Sequence, residues 1–568
     1  MNQETMDAFK VPLFFSRSSV STESHRTGDW SFIQPSFEDR TAPCSEACPC
    51  GTDLPRVEAL AAQGRHLEAW QAILMENPLP GVCGRVCFHP CEQACNRGEF
   101  DAPVAVHALE RFVSGQARPD PAPGRSAARP RRLAILGSGP AGLAAAAFLA
   151  RLGHACEIFE AASEPGGLLR WGIPAYRLPA AVLAREIEAI LALGVKLHCG
   201  APRDGSLAGF DALLAACGQG RSLGLGVPGA ELARDGLELL RAARTGPARP
   251  AAAGARAAVI GGGNTAIDVA RTLLRQGLRP VIVYRRRRED MPAFAPELER
   301  ALAEGAELLE LHAPLALGRG RAGLRLTLQK MRSLDPGPDG RRPVTALPDA
   351  PVELLVDEVY GAVGAEPDPA WLELMAHTPA TRLARCSIAF GPAPVAFIGD
   401  LGPAPKSVSE AIASGKEAAL ALDAWFAGGA AAVAALAACR VGAGPALSMA
   451  SYLGTGRARS SRPVRFAELN PAYFVPAERA EPPVLAAAGF GEVEGGLEPA
   501  AAEREAGRCF SCGTCNGCDN CRTFCPDVAV RLELGARRID TGFCKGCGVC
   551  VEECPRGAMA MGAEEGRP

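Results

Sequence analysis

The sequence predicts an α/β chain built around two dinucleotide-binding units, one inserted in the other, with a cysteine-rich segment at each end. Three observations carry that prediction. Two stretches, 132–160 and 257–284, each run strand, glycine turn, helix, strand. Seven cysteines gather between residues 44 and 95. Eight more fall in two regular copies between residues 515 and 554.

In the first unit, residues 133–136 are a short apolar run that reads as a buried parallel strand. Gly137, Gly139 and Gly142 follow as G-x-G-x-x-G, Pro140 opens an Ala-rich helix, and 156–159 is the second strand. Gly137 makes the tight turn, Gly139 lets the backbone approach a pyrophosphate, and Gly142 lets helix pack on strand. The unpaired N–H groups of the helix start then face the phosphates. Glu160 ends the second strand, where a carboxylate binds ribose hydroxyls. A lone glycine motif is weak evidence; one in register with both strands, the helix and the terminal acid is strong.

The second unit has a strand at 257–260, then Gly261, Gly263, Asn264 and Thr265, with Ala266 as the third small residue. A helix to 276 and a strand at 280–284 complete it. That strand ends in Arg285, Arg286, Arg287 and Arg288 rather than in an acid. An acid there binds a free 2′-hydroxyl, whereas Arg285 and Arg286 accommodate a 2′-phosphate, so NADP(H) is favoured over NAD(H).

At the C-terminal end, Cys515, Cys518, Cys521 and Cys525 precede Pro526, and Cys544, Cys547, Cys550 and Cys554 precede Pro555. Two copies of C-x2-C-x2-C-x3-C-P are the bacterial ferredoxin signature, and cross-ligation follows from it. Cys515, Cys518, Cys521 and Cys554 hold one [4Fe–4S] cluster; Cys544, Cys547, Cys550 and Cys525 hold the other. Cys509 and Cys512 are surplus and receive no role.

The 568 residues have room for three or four domains, and a net charge of −3 implies no nucleic-acid partner. The start of the chain lacks a basic n-region with a long apolar core, and no apolar run reaches the length of a membrane span; 427–438 is too short. Twenty-two cysteines without a secretory signal point to metal ligands. The expectation is a soluble, cytoplasmic protein. No Ser-His-Asp, paired-carboxylate or Cys-His arrangement stands out, so no catalytic side chain is expected and bound cofactors carry the chemistry.

The segment Gly166-Gly167-Leu168-Leu169-Arg170-Trp171-Gly172-Ile173-Pro174 resembles the loop beside the flavin in the glutamate synthase small-subunit family. Residues 395–397, Gly399-Asp400 and 407–419 (SVSEAIASGKEAA) resemble that family's second flavin segment. The resemblance implies FAD, with Gly167, Leu168, Gly172, Ile173 and Gly399 near it and Asp400 at its ribityl-phosphate region. It also implies a helix start at Ser407 and Val408 pointing at the pyrimidine ring, where the dipole stabilises negative charge. No C-x2-C lies beside either nucleotide motif, which excludes a flavin–disulfide couple.

Residues 44–116 resemble the N-terminal iron–sulfur domain that this family shares with dihydropyrimidine dehydrogenase. The resemblance implies one cluster on Cys48, Cys87, Cys91 and Glu110. A second would use Cys44 and Cys95, with Cys50 and Cys83 as the local replacements for a C-x2-C pair absent upstream of Cys44. The alternative is a single cluster, with Glu110 on a solvated helix face.

The expected organisation is an N-terminal arm (1–40), a helical Fe–S domain (41–116), a linker (117–131) and a Rossmann-like FAD domain (132–248 and 378–426). A Rossmann-like NAD(P)H domain (249–377) interrupts the latter; a connector (427–505) and an α+β bacterial-type ferredoxin domain (506–568) follow. The implied activity is hydride exchange between NAD(P)H and FAD, then single-electron transfer to a redox protein partner, an iron–sulfur enzyme or ferredoxin, within a larger complex. A true glutamate synthase small subunit, an electron-bifurcating subunit and a non-catalytic wiring scaffold are the alternatives.

Overall fold

The computed structural model describes residues 26, 28, 31–116, 130–202, 208–246, 254–321, 323–337, 342–457, 459–485 and 489–563. Residues 1–25 of the expected arm and 117–129 of the expected linker lie outside the described residues. Two compact units form. One joins Met1–Arg40, Val464–Val475 and Cys512–Pro568; the other joins Thr41–Pro463 and Pro476–Ser511.

In the smaller unit, strand Ile33–Phe37 pairs antiparallel with Met559–Ala563, so part of the expected arm is built into the C-terminal module. Local periodicity could not show this, because the partner strand lies more than 500 residues away in the chain. A hairpin, Val530–Glu533 with Ala536–Ile539, and short helices Asn520–Thr523 and Val549–Glu552 complete a small core of Cys521, Val530, Cys550 and Met559.

In the larger unit a seven-stranded sheet has the order Thr381–Arg382, Ser387–Ala389, Val395–Phe397, Ala212–Ala215, Arg132–Leu136, Ala155–Glu160, Lys196–Cys199. Its last five strands run parallel. They are fully apolar at the centre because helices cover the sheet. Helices Pro140–Arg151 and Val408–Ala435 pack together so closely that a Cβ on Gly415 would lie 2.3 Å from the Ala141 carbonyl oxygen. By length and composition Val408–Ala435 lies in the one described helical stretch able to cross a membrane, which the sequence reading did not expect. Its first half is core: Ser409, Ala411–Leu422 and Ala424 are buried, and non-helical Gly428 and Gly429 break it beyond them.

The second sheet has the order Glu307–Glu310, Arg279–Tyr284, Arg256–Ile260, Glu358–Gly361, Arg234–Asp235, all parallel. The chain crosses between the sheets at an antiparallel pair, Arg221–Ser222 with Ala365–Glu366. The insert thus starts before residue 249 and ends before 377. Arg234–Asp235 is too short and polar to read as a strand, and helix Pro369–His377 gives Trp371, Leu374 and Met375 to the first sheet's apolar clusters.

Helices Leu54–Ala61, His66–Glu76, Pro80–Val86 and Val106–Gln116 form the N-terminal helical domain. Helix Pro499–Gly507 packs Ala502 and Ala506 into the same apolar cluster, so the chain up to Ser511 belongs with the body rather than with the ferredoxin module.

Two buried carboxylates tie these parts together. Glu76, at the end of its helix, accepts from Lys416 Nζ at 2.6 Å, Ser448 Oγ at 2.7 Å and Met449 N at 2.8 Å; Lys416 is 1% exposed. Glu494 accepts from His107 and Arg111 of the helical domain and from Arg300 of the insert. Burial would raise the Glu494 pKa, but the His107 hydrogen bond and the Arg300 and Arg111 guanidiniums outweigh it and hold the carboxyl down at about 2.

Replacing Lys416 by Met should cost about 3–5 kcal/mol of stability, because it leaves the Glu76 carboxylate buried without its cation; denaturant melts of the two proteins read the difference. Glu494 has a folded pKa below its ordinary 4.5, so its stabilisation is present above that pH and is lost as pH falls toward 2. Glu494→Gln should therefore destabilise by about 2–3 kcal/mol at pH 7 and progressively less below pH 4.5. A deficit that stays constant down to pH 3 would contradict the electrostatic origin.

Candidate functional site

The first glycine turn is shaped as its sequence requires. Gly137 has φ +100°, and a Cβ on Gly142 would sit 2.1 Å from the Gly137 oxygen. At Gly139 the opposite holds: a Cβ would meet no protein atom within 4 Å. The cradle between strand Arg132–Leu136 and the helix start at Pro140 is thus open on the side where a pyrophosphate would approach. Gly167 has φ +52° and lies against Gly139, so the loop carrying Leu168, Gly172 and Ile173 borders this cradle.

Glu160 has a structural task besides any ribose contact. One oxygen accepts from Ser138 N at 2.9 Å and Ser138 Oγ at 2.5 Å, the other from Ala162 N at 2.8 Å. Ser138 Oγ in turn accepts from Gly166 N at 3.0 Å, which joins the two loops. Sequence reasoning missed Ser138; its position between Gly137 and Gly139 was the available signal. At the second segment Ser407 caps helix Val408–Ala435 by accepting from Glu410 N, and Gly399, φ +63°, packs on Ala141. Burial raises the Asp400 carboxyl pKa, and Lys406 moderates the rise.

The second cradle repeats the first. A Cβ on Gly261 would lie 2.2 Å from Ala362 O, whereas one on Gly263 would meet nothing within 4 Å, and Ala266 fills the third position. Thr265 follows in the first turn of helix Asn264–Arg275, and Asn264 Oδ1 accepts from Phe294 N at 2.9 Å. Of the four arginines after strand Arg279–Tyr284, Arg287 and Arg288 pair with Glu289 and Glu299. Among the described residues Arg286 donates to the Arg342 carbonyl, and no carboxylate pairs with Arg285 or Arg286. Those two guanidiniums remain available for an anion.

In the smaller unit the eight cysteines separate as cross-ligation requires. Cys515, Cys518, Cys521 and Cys554 line one pocket; Cys525, Cys544, Cys547 and Cys550 line another. Burial and the neighbouring thiols Cys515, Cys518 and Cys554 push Cys521 up to about 11. Among the described residues no three Cys, His, Asp or Glu side chains converge on a single ion, so each quartet surrounds a volume. That geometry fits a cubane cluster better than one tetrahedral zinc.

The N-terminal cysteines divide differently from the sequence reading. Burial pushes the Cys87 thiol up to about 12, and Glu110 and Cys48 add to the rise; Cys91 feels Cys48 and Cys87. Cys48, Cys87, Cys91 and Glu110 are thus neighbours. The Glu110 side chain is 13% exposed and bonds Asn77 Nδ2 at 3.2 Å and His89 Nε2 at 3.3 Å, so it does not lie on a solvated helix face. Cys50 and Cys83 do not join Cys44 and Cys95. They lie beside each other, Cys50 also beside Cys48, and both pack into the core of the first sheet. Cys44 and Cys95 border the other apolar cluster, with Cys91. Among the isolated cysteines, Cys156 and Cys386 are buried and Cys199 is exposed.

The helical domain reaches the first nucleotide unit directly. Cys50 Sγ stands 3.7 Å from the Ser409 carbonyl oxygen, and the Cys87 thiol lies beside the Ser409 side chain. Ser409 lies in the first turn of helix Val408–Ala435, behind the Ser407 cap.

Comparison with known proteins gives three family matches. Residues 37–121 match dihydropyrimidine dehydrogenase domain II, 4Fe-4S cluster; 131–311 match pyridine nucleotide-disulphide oxidoreductase; 503–555 match the 4Fe-4S dicluster domain. The chain is 35% identical over 436 residues, 68% of its own length, to the NADP(+)-dependent formate dehydrogenase subunit beta of Moorella thermoacetica, and covers 60% of that protein. It is 36% identical over 355 residues, 58% of its length, to the NADPH-Fe(3+) oxidoreductase subunit beta of Geobacter sulfurreducens, and covers 52% of it. It is 32% identical over 357 residues, 58% of its length, to the glutamate synthase [NADPH] small chain of Halomonas elongata, and covers 75% of that chain.

Substituting Ala at Cys518 and Cys547 should remove about eight iron atoms per chain, one cluster from each cavity. Loss of about four would mean that the two quartets do not form separate sites; iron assay of anaerobically purified protein decides.

Proposed function

The chain belongs to the family of the glutamate synthase small chain, a pyridine-nucleotide oxidoreductase family, and we propose that it carries electrons from NADPH through FAD and [4Fe–4S] clusters to a redox protein partner in a larger complex. One observation carries the reading most strongly. Cys87, read as a cluster ligand, lies beside Ser409, in the first turn of the helix whose start reads as flavin-binding. A cluster held there has a short path to the flavin.

Bound FAD would supply the exchange between a two-electron hydride and single electrons. The chain's own residues bind and orient. In this proposal Gly139 and the helix start at Pro140 receive the pyrophosphate of FAD, and Glu160 takes the ribose while bracing Ser138. Gly167, Leu168, Gly172 and Ile173 border the ring, and Ser407 and Val408 present a helix N-terminus to it, which favours negative charge there. Gly261, Gly263, Asn264 and Thr265 receive the second pyrophosphate, and Arg285 and Arg286 the 2′-phosphate.

Two buried ties set the distance between the nucleotides. Arg177, just after the flavin loop, donates to Asp268 in helix Asn264–Arg275 at 2.8 and 2.9 Å. Tyr176 is fully buried beneath the guanidiniums of Arg271 and Arg275, at 4.8 and 3.8 Å from its ring centre. Hydride transfer needs the reacting atoms held about 3–3.5 Å apart, so such ties between the binding halves matter for rate. The iron–sulfur domains and the relatives' NADPH-linked names favour a cytoplasmic subunit of an electron-transfer assembly.

Changing Arg285 and Arg286 to Ala should weaken NADPH by about 1–3 kcal/mol while leaving NADH nearly unchanged. Flavin-reduction titrations with each coenzyme read this, and equal weakening of both would remove the 2′-phosphate assignment. Cys518→Ala with Cys547→Ala should retain NADPH oxidation by a small dye while reduction of an iron–sulfur partner collapses. A partner reduced at the full rate would show that electrons leave by another route.

A further inference from the structure

Cys509, without a role in the sequence, stands in the body at the apolar cluster bordered by Cys44 and Cys95, which also buries Cys91. The place is built rather than incidental. Arg97, two residues after Cys95, donates to the Arg508 carbonyl at 2.7 Å. Arg508 is buried and bonds Asp101 at 2.9 Å and Glu505 at 2.6 Å. Phe510 stacks edge-on against Phe100, with the Arg97 guanidinium 4.9 Å from its ring centre. The turn after Cys95 and the loop around Cys509 are thereby locked to each other.

The backbone at Cys509 repeats that at Cys87, a residue already read as a cluster ligand. In Cys87-Phe88-His89, His89 has φ +46° and its N–H donates to Cys87 Sγ at 3.4 Å. In Cys509-Phe510-Ser511, Ser511 has φ +50° and its N–H donates to Cys509 Sγ at 3.3 Å. A non-glycine residue at such φ is strained, and the N–H aimed at sulfur favours a thiolate.

A third feature points to the same place. Glu58 is 2% exposed, neither carboxylate oxygen has a hydrogen-bond partner among the described residues, and its field reaches Cys95. A buried carboxylate without a partner calls for a ligand or cation close by.

We infer that Cys509 is a thiolate ligand of an N-terminal [4Fe–4S] cluster, with Cys44 and Cys95, in the place that sequence reasoning gave to Cys50 and Cys83. The inference rests on the reading that the helical domain holds clusters, and the unaltered chain tests that reading separately. Iron would then enter a site whose thiols come from both ends of the body, so the segment up to Ser511 and the helical domain would fold around one metal centre.

The test uses the full chain purified without oxygen. Cys509→Ala should lose about four iron atoms relative to the unaltered protein, whereas Cys50→Ala and Cys83→Ala should lose none. Iodoacetamide mapping gives a second readout that does not depend on the variant folding. In the iron-replete chain Cys509 should resist alkylation along with Cys44 and Cys95, and all three should label once a chelator has removed the iron, while exposed Cys199 labels throughout. Full iron in Cys509→Ala, or rapid labelling of Cys509 in the iron-replete chain, overturns the inference. If the unaltered chain holds only about eight irons and Cys44, Cys87 and Cys95 all label freely, the cluster reading of the helical domain itself falls.

Discussion

A single buried ion pair fixes how the helical domain meets the nucleotide-binding core. Lys416 lies in the middle of the core helix and is 1% exposed, yet its ammonium reaches Glu76 and the Cys50 carbonyl oxygen. Glu76 spends its remaining acceptor capacity on Ser448, Met449 and Ala450. Such a pair adds little net stability, but breaking it is expensive, and it allows only one register between its elements. That register places Cys50 and Cys87 against Ser409. The contact between candidate cluster and candidate flavin segment depends on it.

The same economy governs the two nucleotide units. In each, the strand and helix must approach until only glycine or alanine fits between them, at Gly142 and at Ala266. The middle glycine then faces open space, at Gly139 and at Gly263. Close packing on one side and an opening on the other are a single geometric consequence of the turn. Arg177 crosses between the two nucleotide units to Asp268, and Glu494 ties the insert to the helical domain through Arg300 and Arg111.

Much of this was legible in the sequence because it is local. Both glycine turns, the helix start at Ser407 and the two ferredoxin repeats are signals within a few tens of residues, and the spacing divides the thiols into the same quartets that line the two pockets. What the sequence hid is non-local. Strand Ile33–Phe37 finds its partner at Met559–Ala563, and the two-residue strand Arg234–Asp235 exists only because Glu358–Gly361 lies beside it. The division of the N-terminal thiols was hidden for the same reason. Cys50 and Cys83 are near Cys44 and Cys95 in the chain but pack into a different apolar cluster, whereas Cys509, more than 400 residues on, packs with them.

The central claim is that electrons enter as a hydride at the flavin and leave one at a time through the clusters. Rapid mixing of the anaerobic holoprotein with NADPH, followed by absorbance, tests this most directly. The flavin band should bleach first, and the broad iron–sulfur absorbance should fall afterwards, only in protein that contains FAD. Iron–sulfur bleaching at an undiminished rate in FAD-stripped protein, or a flavin band that NADPH leaves unchanged, would contradict the account.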